Sequence, residues 1–350
     1  MDSLSQMALG AAVGVAVMGR RTALWKAAAW GALAGTLPDL DVLIDHGDPI
    51  RNMVLHRAET HAPFWLTLFS LPFGAAVAWL SGERALWRRW VLAMWAVLVT
   101  HPLLDGMTVY GTQLALPFTD RPYGVGSVFI IDLFYTLPLL AGTGWALRLR
   151  GAGRHALAAN AVGLVLSTAY LGWGMWAQQQ VTGVARQALA AQGIVADRLL
   201  VTPTPFNTLL WRVVAVQGAH YHEGFRSLLD EGPAMVFDRF DRGTALWPAV
   251  QAIDGAQRIA AFSNGFWALD VQGAVQGAVQ GVVQGQRLYI TDLRMGQEPA
   301  YVFRFALAQR QGGAWVPLPA AQQLGLRPDI GRAWAWLWRR ALGQPVAPPR

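Results

Sequence analysis

Six apolar runs separated by short polar intervals fill the first half of the chain. They cover residues 4–18, 23–37, 63–81, 90–106, 128–147 and 156–177. Helices cross a bilayer with about 20 apolar residues. The last four runs approach that length, and the first two fit tilted helices or a re-entrant hairpin. After residue 180 the pattern changes. A helical connector over 181–200 leads into short β-rich runs at 209–216, 235–240, 287–291 and 301–306, punctuated by Gly, Pro and Asp turns. The pattern predicts a polytopic α-helical membrane domain over 1–180, a smaller soluble mainly-β or α+β domain over 181–330, and an aromatic, basic and Pro-rich tail over 331–350. In that tail Trp334, Trp336 and Trp338 with Arg339 and Arg340 suit a helix lying on a bilayer surface, and the last six residues are expected to be disordered. A Gly/Val/Gln repeat at 273–285 is too short for a solenoid and predicts an expanded loop or hairpin.

Basic residues fall in alternate intervals. Arg20, Arg21 and Lys26 follow the first run, Arg84, Arg88 and Arg89 the third, and Arg148, Arg150 and Arg154 the fifth. Under the positive-inside rule these intervals are cytoplasmic. Residues 38–62 and 107–127 and everything after 177 then face outward, which in a bacterial inner membrane means the periplasm. The N-terminus does not read as a cleaved signal, because Asp2 precedes the apolar run and Arg20-Arg21 follow it.

Composition supports this reading. The 350 residues are 54% hydrophobic and 14% charged, with a mean hydropathy of +0.30, against about 25% charged in soluble chains. The net charge of +7 is nearly all arginine. No basic stripe with interleaved aromatics occurs, so nucleic acid is not an expected partner. The absence of cysteine excludes disulfides and thiolate ligands. There is no Gly-x-Ser-x-Gly, phosphate-binding loop or dinucleotide fingerprint.

Imidazoles and carboxylates sit at the edges of the apolar runs. Pro38-Asp39-Leu40-Asp41 ends the second, His56 and His61 precede the third, His101 and Asp105 end the fourth, and Asp132 starts the fifth. All fall on the outward side of the expected topology. His101 and Asp105 share a face on a continuing helix. Asp39 and Asp41 point to one side in extended backbone, and His56 and His61 can converge on an irregular loop. Such residues ligate divalent metals, zinc or a similar ion, and with an open position the ion activates water. The expected ligands are Asp39, His56, His61, His101 and Asp105. Asp41 ligates or orients a histidine, and Arg57 binds an anionic group such as a lipid phosphate. His46, His155, His220 and His222 lack that convergence.

The ordered set Met1-Asp2-Ser3-Leu4-Ser5-Gln6, Gly35-Thr36-Leu37-Pro38-Asp39-Leu40-Asp41, His56-Arg57 through His61, His101-Pro102-Leu103-Leu104-Asp105 and Tyr110-Gly111-Thr112-Gln113 resembles the membrane-bound metal-dependent hydrolases, also described as LexA-binding, inner-membrane-associated hydrolases. The likeness covers about residues 1–140, with Thr202–Asn207 similar to a downstream extension. The resemblance implies an inner-membrane hydrolase with metal ligands among Asp39, Asp41, His56, His61, His101 and Asp105. Histidine is common in the family where Gln6 stands, and Gly-x-Ser/Thr-His-Ser where this chain has Ala58-Glu59-Thr60-His61-Ala62. A LexA partner is not carried over, because it would meet the chain in the cytoplasm. The chain therefore reads as a metal-dependent hydrolase of the inner membrane, acting on an ester or phosphoester of a membrane lipid or lipid-linked substrate at the outer interface. The rival readings are a non-enzymatic scaffold, with a structural ion and a periplasmic protein partner, and a small transporter.

Overall fold

The computed structural model describes residues 1–149, 153–273, 285–324 and 329–350. Its first half runs α1 (Ser3–Met18), α2 (Leu24–Thr36), a 3-10 turn (Pro38–Leu43), α3 (Pro49–Leu55), a second 3-10 turn (Glu59–His61), α4 (Pro63–Leu80), α5 (Trp87–Asp105), α6 (Leu133–Arg148) and α7 (Arg154–Ala191). The second half runs β1 (Arg198–Pro203), β2 (Leu210–Gln217), β3 (His220–Ser227), β4 (Phe237–Asp241), α8 (Trp247–Val250), α9 (Asp254–Phe262), β5 (Trp267–Gln272), β6 (Arg287–Asp292), β7 (Gly296–Gln297), β8 (Ala300–Tyr301), β9 (Arg304–Gln311), β10 (Ala314–Gln323) and α10 (Ile330–Ala341). The chain folds into two compact units. The first holds Met1–Ile44, His56–Ala177 and Pro203–Thr208, and the second holds Asp45–Leu55, Gln178–Thr202 and Leu209–Arg350.

In the first unit, α1 is capped by the Asp2 carboxylate, which accepts from the backbone N–H groups of Leu4 and Ser5. Small residues let α1 lie directly on α2. A Cβ added at Gly10 would sit 2.2 Å from the Gly31 carbonyl oxygen, and one at Gly35 would sit 2.5 Å from that of Gln6. Gly10 and Gly14 on α1, with Gly31 and Gly35 on α2, form two four-residue glycine steps that bring the backbones together. Val15, Met18, Ala27, Ala28 and Ala34 then close on Trp90, Ala93, Met94 and Val97 of α5 as one apolar core.

The expected polytopic α-helical membrane domain is not what this unit forms. Among the described residues only α4 (18 residues) and α7 (38 residues) combine the length and apolarity needed to cross a bilayer. α1, α2 and α6 stop at 16, 13 and 16 residues, and the 19 residues of α5 include Arg88, Arg89, His101 and Asp105. With two candidate spans, alternating basic intervals no longer assign sides. The multi-pass topology falls, and the outward placement of the polar motifs and of the second half loses its basis.

The second unit contains two four-stranded sheets, ordered β1-β2-β3-β4 and β10-β9-β6-β5, and the small β7-β8 hairpin. Strands β2, β3 and β4 pair antiparallel, as do β10, β9, β6 and β5. Val214, Val216 and Tyr221 from the first sheet meet Phe266, Ala268, Leu293 and Tyr301 in one apolar core. The runs expected to be strands correspond to β2, β4, β6 and β9, whereas β3 carries too many polar residues to show as one. Its Glu223 is fully buried and takes two bonds from Arg212 of β2, at 2.7 and 2.6 Å, so its charge is matched.

Helix α10 docks by Trp336 against Phe225, ring centroids 4.9 Å apart, and by Arg340 on Asp230. The Pro-rich end, expected to be disordered, is anchored instead: the Arg350 guanidinium bonds Glu223 at 2.7 Å and also pairs with Asp238. The Gly/Val/Gln repeat at 273–285 lies, apart from its two end residues, outside the described residues.

Candidate metal centre

Asp39, His61, His101 and Asp105 bring one ligating atom each to within 4.8 Å of one another. His101 and Asp105 lie one turn apart at the end of α5, so a single helical face presents both. His61 closes the 3-10 turn that precedes α4, its backbone N–H bonded to the Ala58 carbonyl at 3.0 Å. Asp39 sits on the 3-10 turn that Pro38 opens after α2.

That turn corrects the expectation for Asp39 and Asp41. A 3-10 helix has three residues per turn, so side chains two apart diverge. Asp39 faces the imidazole Nε2 atoms. Asp41 faces away from them and accepts from Thr60 Oγ1 at 2.7 Å and the Arg57 backbone N–H at 3.0 Å, with His56 Nδ1 at 2.7 Å. His56 is thus drawn to Asp41 and lies outside the four-atom group.

The four atoms form a cage. The two Nε2 atoms are 3.1 Å apart. Each lies 3.4 Å from Asp39 Oδ1 and 3.3 Å from Asp105 Oδ2. A tetrahedral zinc site with bonds of about 2.0–2.1 Å has ligand–ligand edges of about 3.3–3.4 Å, so the four imidazole–carboxylate edges fit and the edge between the two imidazoles is slightly short. His101 Nδ1 is 2.7 Å from the Gly35 carbonyl, which can only accept, so Nδ1 carries the proton and Nε2 keeps its lone pair. His61 Nδ1 faces Thr60 Oγ1 at 2.9 Å, with Asp41 Oδ2 at 3.5 Å behind it. Its Nε2 is therefore also directed at the cage. Asp105 Oδ2 and Asp39 Oδ2 are buried with no hydrogen-bond partner. Unpartnered carboxylate oxygens and facing imidazole lone pairs are what a cation would satisfy.

Carboxylates of Asp39, Asp41 and Asp105 surround the His61 imidazole. Burial alone would raise the Asp39 carboxyl, but the His101 and His61 imidazoles hold it well below its usual range. Burial acts the same way on Asp41 and is outweighed by His56, His61, Thr60 and the Arg57 backbone N–H. Asp105 is likewise held far down against burial, first by the Met1 ammonium and the Arg57 guanidinium and then by the imidazoles. For His61 burial pulls downward, but Asp105, Asp39 and Asp41 push it up to about 9. Without a cation, a proton on His61 balances part of this charge.

Arg57 departs from its expected role. Its guanidinium is turned inward, 3.3 Å from Asp105 Oδ1 and 3.3 Å from Thr108 Oγ1, and stacks 4.8 Å from the centroid of the Tyr110 ring. The residue is buried, and its φ of +68° is a conformation disfavoured for side chains with a Cβ. The bond to Asp41 and the Gln113 N–H donated to the Arg57 carbonyl at 3.0 Å hold it there. Four supports were not expected from sequence: the Gly35 carbonyl, Thr60, Thr108 and the Met1 ammonium, which pairs with Asp105 Oδ1. A signal existed for two of them, because Gly35 and Thr60 lie within the ordered motifs that hold the ligands. Gln6 is buried in α1 and donates to the His101 carbonyl at 3.2 Å.

With this geometry in hand, comparison with known families is decisive at one point: the profile of the YdjM inner membrane protein family matches residues 1–181. The chain belongs to the YdjM inner membrane protein family. No curated protein and no solved structure matches it. The matched YdjM region holds every residue of the cage. Its description carries the inner membrane and names neither a hydrolase nor a LexA partner.

Proposed function

We propose that this YdjM-family protein is a metal-dependent hydrolase acting on an ester or phosphoester of a lipid-like substrate. The observation that carries the reading is the cage: two imidazole Nε2 atoms 3.1 Å apart, each 3.3–3.4 Å from two carboxylate oxygens. Imidazole and carboxylate without thiolate suit zinc, manganese or iron. Asp39, His61, His101 and Asp105 would hold a divalent ion, which would supply Lewis acidity and a water of lowered pKa. The residues do the rest. Gly35 and Thr60 with Asp41 fix the two imidazole tautomers, and Arg57 and the Met1 ammonium fix Asp105. Asp39, whose side chain is 13% exposed, is the most accessible ligand and opens the site to an incoming group.

A lipid-like substrate is supported by the surroundings of the ligands. The turn that carries Asp39 and Asp41 also exposes Leu40, Val42, Leu43 and Ile44, each more than half accessible. Leu103, between His101 and Asp105, is 51% exposed. Candidate span α4 starts two residues after His61. Apolar side chains around a charged site suit an acyl chain better than a soluble ester.

The test is metal content of the detergent-purified protein. His61→Ala and His101→Ala are expected to lose a stoichiometric ion, and His56→Ala to keep it. Loss in all three, or in none, would overturn the cage as drawn. One observation favours a second reading. Four protein ligands, three of them fully buried, resemble a closed structural site. A retained ion with no turnover across ester and phosphoester panels would select the non-enzymatic alternative.

A further inference from the structure

The second unit contains a cavity of about 540 Å³ whose lining includes Asp197, Arg198, Arg242, Ala261, Gly265 and Trp267. From its wall and its charge we infer a binding site for a small phosphate-bearing anion, held between Arg198 and Arg242. The inference is independent of the metal cage.

Both guanidinium groups converge on Gly265. The turn from α9 into β5 passes through Asn264 and Gly265, with φ of +52° and +81°. Without a Cβ at Gly265 the Arg198 side chain lies across it, since an added Cβ would be 2.6 Å from Arg198 Nε. From the other side Arg242 donates to the Gly265 carbonyl at 2.7 Å and to the Trp267 carbonyl at 2.9 Å, and its guanidinium lies 4.0 Å from the centroid of the Trp267 ring. Trp247 stacks on Trp267 at 4.7 Å. Arg242 is thus fixed by neutral carbonyls and an aromatic face, with no carboxylate bonded to it. Among the described residues, the Arg198 side chain has no hydrogen-bond or ion-pair partner.

The charges around Arg242 are Arg198 and Asp197, and burial together with Arg198 pulls its pKa downward. Asp197 is engaged elsewhere, accepting the Gly218 N–H at 2.8 Å. Two guanidinium charges therefore line the cavity beside one carboxylate, whose charge the Gly218 N–H does not cancel. Phosphate offers three strong acceptor oxygens and can bridge the two guanidinium forks, where a monocarboxylate satisfies one. A fixed arginine beside a free one is an economical anion clamp, because only one side chain loses freedom on binding. The volume exceeds that of phosphate alone and leaves room for an organic group.

Calorimetric titration of the full chain in detergent, at low ionic strength, tests this with inorganic phosphate and with glycerol 3-phosphate. Saturable binding is expected for at least one probe. Arg198→Gln should weaken it about tenfold or more, the scale of one charge-assisted contact. Ala261→Glu, which sets a carboxylate on the exposed end of α9, should abolish it and serves if the first variant folds poorly. Tighter binding of the ester assigns the site to phosphate esters, and equal affinity assigns it to orthophosphate; either supports the inference. Absence of saturable binding of both probes, or unchanged affinity in Arg198→Gln, overturns it.

Discussion

Asp41 lies two residues from Asp39 and faces the opposite way, and that divergence divides their work. Asp39 offers an oxygen to the cage, while Asp41 gathers His56, Arg57, Thr60 and the far side of His61. Replacing such an orienting group commonly costs 10–100-fold in metal affinity. Asp41→Asn is accordingly expected to lower affinity by about that factor in a chelator competition with every ligand intact, and unchanged affinity would show that the Nδ1 side of His61 is irrelevant. The sequence made Asp39, His61, His101 and Asp105 legible, because each is a good ligand type at the edge of an apolar run. It did not separate His56 from them, since backbone at Arg57 with positive φ and the 3-10 turn after it decide which imidazole turns inward. Arg57 misled for a related reason: beside apolar runs it reads as a lipid-facing cation, whereas its charge is spent inside on Asp105.

At the scale of elements, the cage depends on how closely α1 approaches α2, because the Gly35 carbonyl that fixes His101 lies in that seam. Gly35→Ala forces a methyl toward the Gln6 carbonyl, and overpacking of this kind costs about 1–3 kcal/mol. A lower melting temperature and weaker metal retention are expected together. Gly144, inside α6 with open space around it, is the control: alanine there should stabilise by about 0.4–1 kcal/mol. A second contact ties the α1–α2 connection to the start of α5. Glu83 accepts from Thr22 at 2.7 Å, Lys26 at 3.1 Å and Trp90 Nε1 at 3.0 Å. Burial would raise its carboxyl, but these donors hold it below its ordinary value of 4.5. Its stabilisation is therefore present above pH 4.5 and lost as pH falls through and below that value. Thermal melts between pH 3 and 7 should show part of this loss disappear in Glu83→Gln. Helix lengths explain why the membrane topology was misread: apolar runs locate α1, α2 and α6, but these helices stop at 16, 13 and 16 residues, short of a bilayer span. Strand β3 was hidden by the opposite effect, polar residues buried in matched pairs.

On the scale of the whole molecule the chain does not divide at one point. Residues 1–181 match the YdjM family, yet Asp45–Leu55 pack into the β-rich unit. Ile50 is fully buried and lies against Gly255, where an added Cβ would meet its Cδ1 at 2.8 Å. The Asp48 carboxylate accepts from the Ala321 N–H at 3.1 Å. Conversely, the first unit includes Pro203–Thr208, where Thr208 accepts from the Trp173 indole at 3.1 Å. A fragment ending at residue 181 exposes Ile50, worth about 1.5–3 kcal/mol of burial, and lacks Thr208. It is expected to melt below the full chain, and an equal melting temperature would refute this account. The same path has a mechanical meaning. The peptide leaves the cage after Asp41, is pinned elsewhere through residues 45–55, and returns at His56 to deliver His61. Asp41 bonds His56, Arg57 and Thr60 directly, so the two ends of this excursion are clasped to each other, and one carboxylate closes the loop that brings an oxygen donor and a nitrogen donor to the same ion.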